Sequence, residues 1–369
     1  MSTILFYSPF NQRSRDTESL MIAFKKYGHR VMSLSQDKGL YIHEYLSSQG
    51  IETFSHIVES KNQTLYYLRH LLFFISFCRR QKVDIVYSHL EPANFVSVIG
   101  QFFIRSKVII VRHHTDEGAL SGFDKSFFYR ITYRLARKII TVSRKSSSYM
   151  VERENVDAKK IIHINLAYDF SLYKKPDPDI VKNIRTRFGS KVVLITACRF
   201  AKYKRADQSI AVLKKLIKNG FDAALLLLGV GPEQPALTQL VTDEGLTDHV
   251  VFTGYVNNIL DYFTASDFLL HPSITESSCV VVKEAGLARL PVIVCDDVGD
   301  FSEYICHGES GFVVPIQSFV DDSVKIIMEN HAEKNKLNRI GNNLHRQIID
   351  NFSVENIIGQ YEKLNDFEF

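Results

Sequence analysis

No apolar run in the chain approaches the ~18 residues that a bilayer-crossing helix needs. The opening MSTILFYSPF has no basic segment ahead of its apolar stretch, and that stretch is too short for a secretory leader, so residence in the cytoplasm is the expectation. Cysteine is sparse. Cys78, Cys198, Cys279, Cys295 and Cys306 form no CxxC pair and no metal-ligand spacing, which fits free thiols in a reducing compartment. There is no internal repeat, no low-complexity tract and no nucleic-acid recognition motif. These absences argue against integral membrane proteins, disulfide-stapled domains, structural zinc modules and solenoids.

What is present is a 369-residue chain, 45% hydrophobic, long enough for two ordinary cores. Its net charge of +4 hides an asymmetry: residues 1–175 carry 26 Lys and Arg against 15 Asp and Glu, and the remainder 19 against 26. A basic half suggests an anionic partner such as a phosphorylated substrate or a phospholipid surface; nucleic acid is not expected. Short Val-, Ile- and Phe-rich runs alternate with amphipathic stretches. The first half predicts strands at Ile4–Tyr7, Arg30–Leu34, Ile85–Ser88, Val108–Arg112, Lys138–Val142 and Ile161–Ile164. Lys174-Lys175-Pro176-Asp177-Pro178-Asp179 reads as a linker, after which the pattern restarts at Val192–Ala197 and ends in a helix from Val354 to about Phe367 behind a Ser353 cap. Strand–helix alternation argues for parallel sheets covered on both faces. The expectation is two doubly wound α/β domains, 1–175 and 176–351, facing across a cleft, with the terminal segment 352–369 packing back on the first.

Ligands of such sheets bind at the carboxyl ends of the strands. Arg199 and Lys204 follow Val192–Ala197, where a planar fork and a point charge could grip a diphosphate; with Lys202 and Arg205 they equally describe a solvated basic face. Gly229 and Gly231, in Leu228-Gly229-Val230-Gly231-Pro232-Glu233, permit a close backbone approach to a ligand or simply a tight turn. In PSITESSCVVVKEAGLARLPVIV, residues 272–294, seven residues separate Glu276 from Glu284. Pro291 implies a helix ending near Leu290 that carries Glu284. Glu276 falls at or before its start, with Ser277 and Ser278 placed to cap it. The first-turn N–H groups and the dipole of that helix make an anion site. If all helical, the segment would hold the two Glu Cα atoms roughly 12 Å apart, beyond the ~5–9.5 Å of a facing glycosidase pair. The spacing fits two clamps at the ends of a long ligand with an anionic middle, as in a nucleotide-sugar, or two solvated glutamates. Asp296-Asp297 reads as a turn after a strand rather than a metal motif.

In order along this half, these features resemble the retaining family 4 glycosyltransferases of the GT-B fold. Arg199 and Lys204 look like the family's pair on the donor diphosphate, and the 228–233 segment like its GxGPE turn. Val251-Phe252-Thr253-Gly254-Tyr255-Val256 resembles its strand and loop near the base, and Glu276…Glu284-Ala285 its Glu-x7-Glu signature. Ala265-Ser266-Asp267, Pro272-Ser273, Pro291-Val292-Ile293, Glu303 and Gly311-Phe312-Val313-Val314-Pro315 complete the register. The resemblance implies that Glu276 binds donor-sugar hydroxyls and Glu284 the ribose. It implies that Arg199 and Lys204 stabilise the departing nucleoside diphosphate. It also implies donor contacts from Ser277, Ser278, Cys279, Gly254, Tyr255, Val256, Gly229 and Gly231, with no metal and no cofactor beyond the donor itself. Two departures stand out. Ser277-Ser278-Cys279 replaces Gly-Phe-Gly, where a backbone needing positive φ would be strained. Gly299-Asp300-Phe301-Ser302-Glu303 replaces Gly-Gly-x-Pro-Glu, and Asp300 brings a negative charge near the expected sugar.

The first half matches less densely. Gly28-His29-Arg30-Val31 resembles the family's GH-x-V, where His29 reads as part of a buried turn. The Gly-rich loop after the first strand is missing. Asn11 and Arg13 are candidates for its phosphate contact. Val111-Arg112-His113-His114-Thr115-Asp116 ends a strand and resembles the family's strand-end histidine beside the donor sugar. His113 is in register, with His114 and Asp116 as further acceptor-side candidates. His113 would orient the sugar rather than act as the base, since the family's proposed front-face mechanism lets the leaving phosphate take the acceptor's proton. Phe123–Lys145 holds seven Lys and Arg and one acidic residue, with Phe127, Phe128, Tyr129 and Tyr133 interleaved; Leu65–Lys82 is aromatic and ends basic. Such helices dock on anionic lipid, or pack by their aromatics with charges in water.

The expected function is transfer of a sugar from a nucleoside diphosphate donor, UDP foremost, to a saccharide or polyprenyl-phosphate-linked acceptor. The resemblance sets this in surface polysaccharide or lipopolysaccharide assembly, with a possible peripheral seat at the inner face of the plasma membrane. A nucleotide-sugar epimerase, a sugar phosphorylase and a non-catalytic nucleotide-sugar binder are the alternatives.

Overall fold

The computed structural model describes residues 1–10, 12–38, 41–114 and 125–366. The chain divides into two compact units, Met1–Phe170 with Phe352–Phe369, and Ser171–Asn351.

The first unit holds seven strands: β1 (Thr3–Ser8), β2 (Arg30–Ser35), β3 (Glu52–Ser55), β4 (Ile85–His89), β5 (Lys107–Arg112), β6 (Lys138–Thr141) and β7 (Ile161–His163). Their order is β3-β2-β1-β4-β5-β6-β7, all parallel. Period-2 alternation sends Ile4 and Phe6 of β1 into one core and Leu5 and Tyr7 into another, so both faces of the sheet are dry. The helix Val354–Asp366 closes the first of these cores with Ile357, Ile358 and Tyr361. His29 belongs to this packing: its ring accepts the Ser2 N–H at 3.1 Å and reaches Glu362 of that helix at 3.1 Å.

The second unit holds β8 (Val192–Ala197), β9 (Ala223–Leu228), β10 (Val250–Gly254), β11 (Phe268–His271), β12 (Val292–Cys295) and β13 (Phe312–Val314) in the order β10-β9-β8-β11-β12-β13. The chain winds outward from β8 in one direction and from β11 in the other, so the order reverses between these two strands; in the first unit it reverses between β1 and β4. Crevices for ligands open at such reversals, outside the strands' carboxyl ends.

Two sequence expectations shift. β3 and the preceding helix Tyr41–Ser48 were not anticipated, because Glu-Thr-Phe-Ser is a four-residue edge strand with one large apolar side chain. The helix carrying Glu284 spans Val280–Leu287 rather than reaching Leu290; Arg289, at φ 57, turns the chain before Pro291 does.

Candidate active site

In the second unit the reversal brings together the segments that leave the carboxyl ends of β8 and β11. After β8 the chain makes a 3-10 turn, Lys202–Lys204. The loop after β11 docks on that turn: the Ile274 N–H and the Ser273 hydroxyl donate to the Tyr203 carbonyl at 3.1 and 3.4 Å. This docking sets Lys204 against Glu276. The Glu276 Oε1 accepts from Lys204 Nζ and, at 2.8 Å, from His271 Nε2, while the Cys279 sulfur lies 3.6 Å from the same ring nitrogen. His271, the last residue of β11, is buried, and the Glu276 side chain is 10% exposed. Burial alone would raise the Glu276 pKa, but the hydrogen bonds and charges of His271 and Lys204 override it and hold the carboxyl down at about 2. Burial opposes the charged ring of His271, but Cys279 and Glu276 outweigh it and push that pKa up to about 9. Burial likewise works against the Lys204 ammonium, yet Glu276 leaves its pKa raised. His271, Glu276 and Cys279 offer ligand atoms within 4.8 Å of one another. The Glu276 oxygen of this group already accepts from Lys204 and His271.

Arg199 is exposed, and its side chain has no ion-pair partner among the described residues. The glycine turn lies against the same segment. A Cβ on Gly229, at φ +121, would sit 2.0 Å from the Cys198 carbonyl oxygen, and one on Gly231 2.3 Å from that of Phe200. The turn therefore needs glycine for packing alone, before any ligand is considered. The Gly229 N–H donates to the Gly254 carbonyl at 2.9 Å, which ties the end of β10 to this turn. Tyr255 is exposed and Val256 half-buried.

The two departures from the family pattern fit together. Ser278 does not cap the helix; the cap position is Cys279, with no side-chain cap bond. The Ser278 hydroxyl instead donates to Asp300 Oδ2 at 2.6 Å and accepts from Lys283 Nζ at 2.9 Å, and Lys283 pairs with Asp300 at 2.8 Å. Both partners are buried, at 1% and 0%. Asp300 is thus compensated inside the protein rather than left as a bare charge. None of Ser277, Ser278 and Cys279 has a positive φ, so serine and cysteine stand there without strain; the left-handed positions are Asp297, in the Asp296-Asp297 turn, and Gly299. Glu284 is buried, at 8% exposure, on its helix.

In the first unit His113 follows β5. Its Nε2 lies 2.8 Å from Nδ1 of His89, the last residue of β4, which stacks on Phe6. Burial lowers both pKa values, with the neighbouring His113 adding to the effect at His89 and Asp16 opposing it at His113. Arg112 fixes the segment: buried completely, it pairs with Glu154 and donates from Nε to the His114 carbonyl at 2.8 Å. His114 is exposed. Arg13 is bound by Glu18, at 2.5 and 2.9 Å, and stacks over Tyr45 at 3.9 Å. Asn11 and Asp116 lie outside the described residues. Sequence reasoning missed His89, Arg112, His271 and Lys283. The first three sit at the carboxyl ends of strands, the one signal that could have flagged them.

Two parallel sheets with these reversals are the architecture of the GT-B glycosyltransferases. The model "Glycosyltransferase Family 4" matches residues 15–172 and "Glycosyl transferases group 1" residues 179–347. The chain belongs to glycosyltransferase family 4, and among the alternative activities it is the transferase. It is 27% identical over 295 residues to N-acetyl-alpha-D-glucosaminyl L-malate synthase of Bacillus anthracis, covering 78% of this chain and 75% of that protein. Anabaena HepE in complex with UDP superposes with a TM-score of 0.84 at 21% identity, over 99% of this chain and 100% of that one. Sucrose-phosphate synthase of Thermosynechococcus elongatus does so at 0.80 and 16%, over 98% of each.

Proposed function

We propose that the protein transfers a sugar from a nucleoside diphosphate donor, UDP foremost, with retention of anomeric configuration. The acceptor is a saccharide, free or carried on a polyprenyl phosphate, in the assembly of a surface polysaccharide or lipopolysaccharide. The reading is carried by the Glu276 carboxylate, ionised at the sheet reversal and held by Lys204 and His271. An ionised, oriented carboxylate accepts hydrogen bonds from sugar hydroxyls. Lys204 and Arg199 supply the positive charge that offsets what builds on the departing diphosphate, and no metal is invoked. Glu284 takes the ribose, and His113, its proton fixed by His89, orients the sugar. The leaving phosphate accepts the acceptor's proton.

UDP is favoured because the similar Anabaena protein is described with UDP and with UDP-glucose. GDP is the competitor, through a GDP-mannose-dependent mannosyltransferase of Mycobacterium tuberculosis that is 29% identical over 38% of this chain and 39% of that protein. The test is a panel of UDP- and GDP-sugars scored by nucleoside diphosphate release, with hydrolysis accepted as readout. Glu276→Ala should lower turnover about 100-fold. Glu284→Ala should weaken UDP binding by roughly tenfold, the scale of one charged hydrogen bond. Full activity in both variants would sink the assignment. A product whose anomeric proton coupling shows inversion would remove the retaining mechanism.

A further inference from the structure

The helix Gln63–Gln81 of the first unit turns His70, Phe74, Phe77 and Cys78 into the core. Its opposite face is not polar. Leu65, Leu68 and Leu72 are 38%, 48% and 59% exposed, and Arg69, Arg79 and Arg80 are exposed on the same stripe. At 100° per residue, positions 65, 68, 72 and 79 fall within one narrow arc, and the stripe from Leu65 to Arg80 runs roughly 22 Å. The helix contains no Asp or Glu. Arg79 donates at 3.1 and 2.6 Å to the Phe103 carbonyl, which fixes the turn bearing Phe102 and Phe103 at the end of the stripe. Both phenylalanines are more than half exposed. Arg79, Lys82, Phe102, Phe103 and Arg105 line a hollow of about 800 Å³ there, together with Asp84. In the other basic aromatic helix, Lys125–Leu135, Tyr133 is buried and Tyr129 stacks on it. The side chains of Phe127 and Phe128 lie outside the described residues.

We infer that the face formed by Leu65, Leu68, Leu72, Phe102 and Phe103, with its arginines, is a docking surface for an anionic phospholipid bilayer. Apolar side chains in a row, flanked by cations with no acid on the helix, match the acyl boundary and the headgroup layer respectively. No helix among the described residues is long and apolar enough to cross a membrane, so the contact is peripheral. The inference gives the lipid-carried acceptor of the transfer reading a place to be met, and rests on that reading only for this purpose.

The test is co-sedimentation of the full chain with vesicles of phosphatidylcholine, with and without phosphatidylglycerol, at low and high salt. Binding should require phosphatidylglycerol and fall with salt. Leu68→Ser with Leu72→Ser should abolish most of it. Arg69→Glu with Arg80→Glu should weaken it by more than tenfold, each surface cation being worth roughly fivefold. Nucleoside diphosphate release in solution should persist in all these variants, since none of the residues lies in the site. Equal binding to both vesicle types, or variants that bind like the wild type, would overturn the proposal. So would a monomer–dimer shift on sedimentation of the leucine variant, which would make the face a self-association surface. Loss of turnover with every donor, while vesicle binding persists, would count against the transfer reading and leave the surface standing.

Discussion

Glu276 shows how one carboxylate stays ionised with its side chain 90% out of water. Desolvation would neutralise it, and His271 and Lys204 prevent that by placing two donors on one oxygen. The linkage has a sign. His271 rises from an unfolded value near 6.5 to about 9, so its contribution to stability is fully present below about 6.5 and is lost as pH rises through about 9. Glu276 falls to about 2, so its contribution is present above the usual carboxylate range and lost only as pH drops through about 2. Urea midpoints should therefore decline between roughly pH 7 and 9 in the wild type. In His271→Gln, where the amide can still donate to Glu276 but cannot titrate, that alkaline decline should be smaller; the same slope in both proteins would show that the charge lies elsewhere. The motif spacing singled out Glu276 and Lys204, which the structure brings into contact. His271 and His89 were not legible in the sequence, since each is a lone histidine whose meaning comes from a partner on another segment, such as His113, 24 residues beyond His89.

The helix Val280–Leu287 and the turn before the short helix Phe301–Tyr304 are joined by a charge pair whose Asp300 stands where the family pattern has a glycine. Lys283 and Asp300 hold Ser278 between them, so the turn after Glu276 is braced from beneath by side chains. Gly299 is required beside it: at φ +56, a Cβ there would lie 2.9 Å from that of Glu276. Removing one member of a buried pair strands the other, so Asp300→Ala should cost about 3–5 kcal/mol. Lys283→Met combined with Asp300→Leu should recover much of the loss, read as midpoints in urea. If Asp300→Ala unfolds like the wild type, the pair is not a brace. From sequence, Asp300 read as an uncompensated charge because Lys283 stands on another element, 17 residues earlier, in a run that reads as apolar helix. β8 carries the bounds the alternation predicts, Val192–Ala197, being a continuous apolar run between breakers. The edge strand β3 is too short and too polar to announce itself.

At the scale of the chain, doubly wound sheets are legible because every strand needs a covering helix, and the resulting alternation is written throughout the sequence. The first unit is closed by residues from the far end of the chain. The Tyr168 N–H donates to the Phe352 carbonyl at 2.8 Å and the Val354 N–H to that of Tyr168 at 2.9 Å, and the helix Val354–Asp366 then packs along the helix Arg15–Lys26. Tyr361 meets Phe24 and Tyr87 edge-on at 6.0 and 5.5 Å, and the Tyr87 hydroxyl donates to Asn365 at 2.5 Å. A terminal helix carrying only surface contacts would fray at little cost; this one supplies a wall of the core beside β1 and β4. Truncating Tyr361 to alanine removes a buried ring without a neighbour able to fill its place, at a cost of about 3–5 kcal/mol. Native-state hydrogen exchange should then show protection of the β1 and β4 amides falling by roughly a hundredfold or more. Amides of β8 and β11, in the other unit, should keep theirs. Unchanged protection in β1 and β4 would mean that the terminal helix covers the first unit without stabilising it.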